Sequence, residues 1–492
     1  MKKFFKVCSA VLAALVACGS WGFLGSCKKT EPKREYGENY RPETQEVDQS
    51  LLAGMMYISY EGHKYNNVDI CKGLDIMHNL GVKRIRGDLP VSDAFPAPSE
   101  RNEEVISFLH DVYKYASERN IEYLGGAYTA GYHPDTGWSW DGLMPRRDTS
   151  EGSYYMQWLE AIEEYNYVAA KEFPELKIWE MGNEPNGNPF IYYDGSVATA
   201  KESAAIYTDV IYYASKGVHR ADKDNLTMLG GLTELAGLGT TGGNVQFLND
   251  MYDCIDSGEF PAGEEKSTYP DDYFQIACWH PYTFNYMDPD YFVEENDKIY
   301  NCIKEREGKH KKVIFSEFGF SAGSGSGITS KWIFDLFDVI RTRMPYVETS
   351  CWFRAFNDNN DKNWGGDSNL INFGLFYDPN HTDASNGSPY EGTGFLKDMG
   401  ILYIPGEPKP HAYAYQVCAG GSGDLTGLMM SKEKIVERDN NADKAALLEN
   451  DVLPKRYNVN GESVTYTQCK TRTKELFEEY AKKYDLKSGV KE

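Results

Sequence analysis

Trp179-Glu180-Met181-Gly182-Asn183-Glu184-Pro185-Asn186 closes a short apolar run with a carboxamide and a carboxylate side by side. Read as a strand, it puts Glu180, Gly182 and Glu184 on one face under the period of two, with Glu184 at the strand end and Glu180 deeper. A second carboxylate, Glu317, ends another apolar run, Val313-Ile314-Phe315-Ser316-Glu317-Phe318-Gly319. Two glutamates thus stand at the ends of two separate strands.

Outward from these runs, residues 52–410 alternate short apolar stretches with longer helical patterns. The strand-like runs are 53–59, 82–87, 122–127, 176–182, 226–232, 273–279, 312–317 and 349–353. Helix-like stretches between them include 68–80, 103–119, 152–172, 198–220, 291–306 and 330–343. Each run is a weak signal alone, but eight repeats of β then α predict a closed parallel (β/α)8 TIM barrel in the α/β class. Such barrels carry their chemistry at the C-terminal ends of the strands, where Arg86, Glu184, His280, Glu317 and Trp352 fall. The Asn/Asp/Gly-rich segment 357–369 follows the eighth strand and reads as a loop over the same face. Asp358, Asn360 and Lys362 break the oxygen-ligand pattern that a calcium loop needs.

Beyond Gln416 the pattern changes to charged helical stretches at 431–451 and 471–487, which read as a short helical extension on the barrel's flank. At the other end, Met1-Lys2-Lys3-Phe4-Phe5-Lys6 is basic and an apolar, small-residue run reaches Ser26, the pattern of a secretory signal. Leu24-Gly25-Ser26-Cys27 resembles a bacterial lipoprotein box. Leu15-Val16-Ala17-Cys18 fits almost as well, but charged chain begins directly after Cys27 and favours lipidation there. Residues 28–48 are polar, with prolines and charges and no apolar period, as in a tether. The expected organisation is a lipoprotein signal over 1–26, a tether over 27–50, the barrel over 51–416 and the extension over 417–492. The protein is expected to be exported and held on the membrane of the cell envelope through its lipid.

With 51 basic against 74 acidic residues the net charge is −23, a field that opposes nucleic acid as a partner. Aromatic residues make up 14%, enough to line a groove with flat faces as well as to pack a core. Cys8, Cys18 and Cys27 lie in the signal and at the lipid site, and the cysteines from Cys71 to Cys469 are scattered, so they outline no disulfide framework. No CxxC and no Cys/His cluster has zinc spacing, so no metal is expected.

Glu184, at the strand end, suits a general acid, whereas the deeper Glu180 suits an ion pair with Arg86. Cleavage of a glycosidic bond needs a pair of carboxylates such as Glu184 and Glu317, and Asn183 beside Glu184 can then donate to a sugar hydroxyl next to the scissile bond, or else form an Asx turn into the next loop. In His280-Pro281-Tyr282, at the end of the sixth strand, the tyrosine can donate to Glu317 and hold it ionised, and the charge of Arg86 acts in the same direction. Two carboxylates in unlike surroundings divide into acid and nucleophile. Trp352 offers either a flat face for a sugar ring or a plug for the barrel. Tyr128, Tyr132, His133 and Trp138 after the third strand, and Glu234 after the fifth, are further candidates to shape subsites; His133 is either a hydroxyl contact or a surface loop histidine.

Taken in strand order, Arg86, Asn183-Glu184-Pro185, His280-x-Tyr282, Glu317 and Trp352 resemble the retaining glycoside hydrolases of clan A. The stretch 179–186 is similar to the form seen in families 5 and 39. Gly182 departs from the bulky residue that many members carry there, and the C-terminal extension has no counterpart. The resemblance spans 52–415. It implies Glu184 as acid/base and Glu317 as nucleophile, a double displacement on a β-linked oligo- or polysaccharide, and carboxyl groups roughly 5 to 5.5 Å apart. Two other activities share these residues: a lipid-anchored glycan-binding protein that has lost turnover, and a transglycosylase.

Overall fold

A computed structural model describes residues 46–56, 70–87, 91–97, 99–127, 132–133, 137–138, 143–187, 190–234, 242–258, 267–283, 286–320, 326–356, 373–376, 408–426, 456–459 and 462–486. The signal segment, Cys18, Cys27, most of the tether, Tyr128, the 357–369 loop and the charged stretch 431–451 lie outside these residues. So do the side chains of Tyr132, His133 and Trp138.

Eight parallel strands close into a barrel: β1 (Ala53–Met56), β2 (Arg84–Arg86), β3 (Glu122–Ala127), β4 (Ile178–Asn183), β5 (Leu226–Thr233), β6 (Ala277–His280), β7 (Val313–Phe318) and β8 (Val347–Trp352). The ring closes where β1 pairs with β8, Ala53 opposite Ser350. Around it run α1 (Ile70–Leu80), α2 (Glu103–Ser117), α3 (Tyr154–Glu172), α4 (Ala200–Ala221), α5 (Gly242–Ser257), α6 (Pro289–Glu307), α7 (Ser326–Arg343) and α8 (Pro410–Ala419). The expected (β/α)8 barrel is therefore the fold. Several helices begin on side chains that satisfy otherwise orphaned N–H groups: Asn102 before α2, Ser153 before α3, and a capping box of Thr199 and Glu202 on α4. The Gly-Gly start and Asn/Asp content of α5 do not read as helix, yet Phe247, Leu248, Met251, Tyr252 and Ile255 recur at helical spacing and are buried.

Alternation along the strands separates a helix-facing layer from the barrel interior. Outside, Trp279 packs against Phe315 and its indole donates to Asn296 Oδ1 on α6 at 2.7 Å. Inside, β2 sends two arginines to two levels. Arg84 donates to Glu348 at 2.6 Å and to Thr349 Oγ1 at 3.0 Å, and Lys312 reaches the same Glu348 at 2.7 Å. Burial alone would raise the Glu348 pKa, but Lys312 and Arg84 together hold its carboxyl below the usual range. Arg86 serves the level above, at the C-terminal mouth.

On the flank, Tyr415 of α8 donates to the Gly54 carbonyl of β1 at 2.5 Å. A hairpin of Arg456–Val459 and Glu462–Thr465 leads into α9 (Tyr466–Lys483), which packs on α8 and α7, with Leu476 buried and Phe477 stacked on Tyr413. Among the described residues no helix is long and apolar enough to cross a membrane. Among the described residues Cys278, Cys302, Cys351 and Cys418 are buried thiols outside any disulfide.

Candidate active site

The ends of β2, β4, β6 and β7 converge on one guanidinium. Arg86 donates to Glu180 through Nε at 2.6 Å and to Asn183 Oδ1 through Nη2 at 2.8 Å, and its Nη1 is bonded to Glu317 Oε1. The other oxygen of Glu317 accepts from the Tyr282 hydroxyl at 2.6 Å. His280 Nδ1 meets Glu184 Oε1 at 3.0 Å, and its Nε2 meets Ser316 Oγ at 2.9 Å. Ser316 Oγ in turn donates to Glu180 Oε1 at 2.7 Å. Eight side chains therefore form one hydrogen-bonded network at the barrel mouth.

Two backbone irregularities aim these side chains. Between Phe315, which faces Ser350, and Phe318, which faces Trp352, two residues of β7 oppose one of β8. This is a β-bulge, and it suspends alternation so that adjacent Ser316 and Glu317 both reach the centre. On β4, Gly182 has φ +93° and Glu184 has φ +49°. A left-handed turn at position 182 suits glycine, which has no Cβ to clash. It brings Asn183 to the same guanidinium as Glu180, although simple alternation would point the two apart. The Glu184 amide is then tied to the Gly231 carbonyl at 3.0 Å, and Tyr207 braces β4 and β5 by donating to Met181 O and accepting from the Gly230 amide.

The two carboxylates at the mouth have unlike surroundings. Burial would raise the pKa of Glu317, but His280 in its charged form, Arg86 and the Tyr282 hydroxyl outweigh it and hold the carboxyl below its ordinary value. Tyr282 keeps its proton, because burial and the neighbouring Glu317 push its pKa well up. Glu184 is bonded to neither Arg86 nor Tyr282; its partner is His280, and its side chain is 24% exposed against 11% for Glu317. An oxygen of Glu184, a ring nitrogen of His280 and an oxygen of Glu317 lie within 4.8 Å of one another. That triad has the donor types of a cation site. However, both Glu317 oxygens already accept hydrogen bonds and His280 Nδ1 is engaged with Glu184, so an ion would have to displace bonds already made and sit beside Arg86.

Of the residues singled out in the sequence, the structure brings Arg86, Asn183, Glu184, His280, Tyr282 and Glu317 together. Trp352 ends β8 fully buried, donating to Phe373 O at 3.0 Å and edge-on to Phe318, packed as a plug. The half-buried ring beside Tyr282 is Phe353, with centroids 5.8 Å apart. Glu234 is buried near the start of α5, where it accepts from the Asn244 amide at 3.4 Å. His133 lies in a short strand, Tyr132–His133, paired with Gly137–Trp138 in the loop after β3. Sequence reasoning missed Ser316, Gly231 and Phe353. The immediate neighbours of Glu317 and of the predicted strand-end tryptophan were the available signals for two of them.

A (β/α)8 barrel with paired glutamates at its C-terminal mouth is thus the class that the fold and site define. No protein-family model matches the chain, and no curated protein matches it. Among solved structures it is similar to a family 39 glycoside hydrolase from the gut symbiont Bacteroides cellulosilyticus WH2, at 16% identity over 77% of this chain and 65% of that one, with a TM-score of 0.48. It is also similar to an exo-beta-1,4-mannosidase from Opitutaceae bacterium strain TAV5, at 14% identity over 68% and 59%, with a TM-score of 0.46. A third is the beta-glycosidase of the hyperthermophile Thermosphaera aggregans, at 13% over 77% and 98%, with a TM-score of 0.47. The chain spans less than two thirds of the length of the first two. At these identities the likeness is one of fold.

Proposed function

We propose that this chain is a retaining glycoside hydrolase that cleaves β-linked oligo- or polysaccharides by double displacement. The observation that carries the reading is that an oxygen of Glu184 and an oxygen of Glu317 lie within 4.8 Å of each other, in unlike surroundings. A pair this close leaves no room for a water between them, as inversion requires, and suits direct attack by one carboxylate. Glu317, held ionised by Arg86 and Tyr282, attacks the anomeric carbon. Glu184 gives its proton to the departing oxygen and then takes one from the water that releases the sugar. Asn183 accepts from Arg86 through Oδ1, which leaves its amide nitrogen as the group that can donate to a sugar hydroxyl. The β linkage follows from the family resemblance.

The test is sugar release from a panel of β-linked plant, fungal and host glycans by the protein, Glu184→Ala and Glu317→Ala, with the anomer of the first product followed by NMR. Release that both substitutions abolish, with the β-anomer formed first, is expected. An α-anomer would exclude retention, and binding without any release would point to a glycan-binding protein. On the sequence features of the first 27 residues we also propose export and lipidation at Cys27; incorporation of labelled fatty acid should be lost in Cys27→Ser and kept in Cys18→Ser.

A further inference from the structure

We propose that Ser316 is a positioning residue that fixes the tautomer of His280 and so keeps the catalytic proton on Glu184; this rests on the glycosidase reading above. Hydrogen-bond directions along the chain from Glu180 through Ser316 and His280 to Glu184 carry it. Glu180, gripped by Arg86 through two nitrogens, also accepts from the Gly231 amide at 3.2 Å. Its Oε1 accepts from Ser316 Oγ at 2.7 Å, which spends the only proton of that hydroxyl. Ser316 Oγ can then only accept, from Cys278 Sγ at 3.1 Å and from His280 Nε2 at 2.9 Å. The imidazole proton therefore resides on Nε2.

In a neutral ring with Nε2–H, Nδ1 is a lone pair. It faces Glu184 Oε1 at 3.0 Å, and two acceptors at that distance bind only if a proton lies between them. With the ring neutral Glu184 supplies it, which is the form needed to protonate a leaving group; a wild-type imidazole protonated on both nitrogens would put that proton on His280 and overturn the proposal. The opposite tautomer, with Nδ1–H donating to Glu184, would stabilise the ionised carboxylate and lower its proton affinity. The other groups facing the imidazole are Glu317, whose Oε2 is 3.8 Å from Nδ1, the Tyr282 ring edge-on, and Gly231, which contributes no side chain. None of them offers Nε2 an alternative acceptor. No proton crosses Ser316 in the reaction: Glu184 loses its proton to the glycosidic oxygen and regains one from water, while Nε2–H remains in place.

The first test is the tautomer itself in the substrate-free protein with 15N-labelled histidine, the His280 signals being identified by their loss in His280→Gln. Nε2–H in the wild type, loss of that preference in Ser316→Ala and its return in Ser316→Thr are expected. Nδ1–H in the wild type, or the same tautomer in all three proteins, overturns the proposal. Because no turnover is involved, this outcome is independent of whether the protein hydrolyses glycosides. The second test is the pH profile of kcat/KM. In Ser316→Ala the basic limb, which reports the acid, moves down by about one pH unit, and substrates with poor leaving groups lose more rate than activated ones. The acidic limb, set by Glu317, stays within a few tenths of a unit, and Ser316→Thr restores the profile. An equal fall at all pH values with unmoved limbs would show that Ser316 merely packs the barrel.

Discussion

His280 Nε2 occupies the space that any side chain at Gly231 would need: a Cβ built on Gly231 would lie 2.0 Å from that nitrogen. The imidazole is wholly buried and bonded at both nitrogens, so it has no free direction in which to retreat. Gly231→Ala should therefore push His280 off Glu184 and Ser316 together. Overpacking of this kind costs about 1–3 kcal/mol. A lowered melting temperature with a loss of kcat larger than the change in KM is expected; unchanged kinetics would mean that the ring has room to move.

Removing the hydroxyl of Tyr282 takes one of the groups that hold Glu317 below its ordinary pKa. In Tyr282→Phe the Glu317 pKa rises, so the carboxylate becomes protonated at higher pH. The acidic limb of the activity profile should move up by about one unit, and kcat should fall even on the plateau. A stationary acidic limb would assign it to another group.

Glu348 neutralises buried Arg84 at the far end of the barrel from the glutamate pair. Its folded pKa lies below the unfolded value, so its contribution to stability is complete above the unfolded pKa and is lost as pH falls through the folded one. Glu348→Ala leaves Arg84 without its buried partner and should cost about 3–5 kcal/mol. Chemical denaturation at neutral and acidic pH checks both points: the gap between wild type and variant should narrow as pH falls.

Phe353 and Trp352 should respond differently to truncation. Phe353 is half-buried beside Tyr282, so Phe353→Ala should raise KM with little change in folding stability. Trp352 is a fully buried ring with its indole bonded, and Trp352→Ala should cost about 3–5 kcal/mol. Urea denaturation set beside substrate titration separates them; a KM effect confined to Trp352→Ala would return the platform to that residue.

Alternating apolar and helical runs were enough to reveal the barrel, because burying a parallel sheet under helices writes its periods into the chain. Strand-end positions then picked out Arg86, Glu184, His280 and Glu317, since runs of apolar residues stop where the strand leaves the core. What alternation could not show is which neighbours share a face. Asn183 joins Glu180 at Arg86 because the chain turns left-handed at Gly182, and Ser316 joins Glu317 because β7 bulges against β8. Trp352 is likewise buried while Phe353 stands by Tyr282. These outcomes depend on the register of an adjacent strand distant in sequence, and a local pattern carries no information about that register.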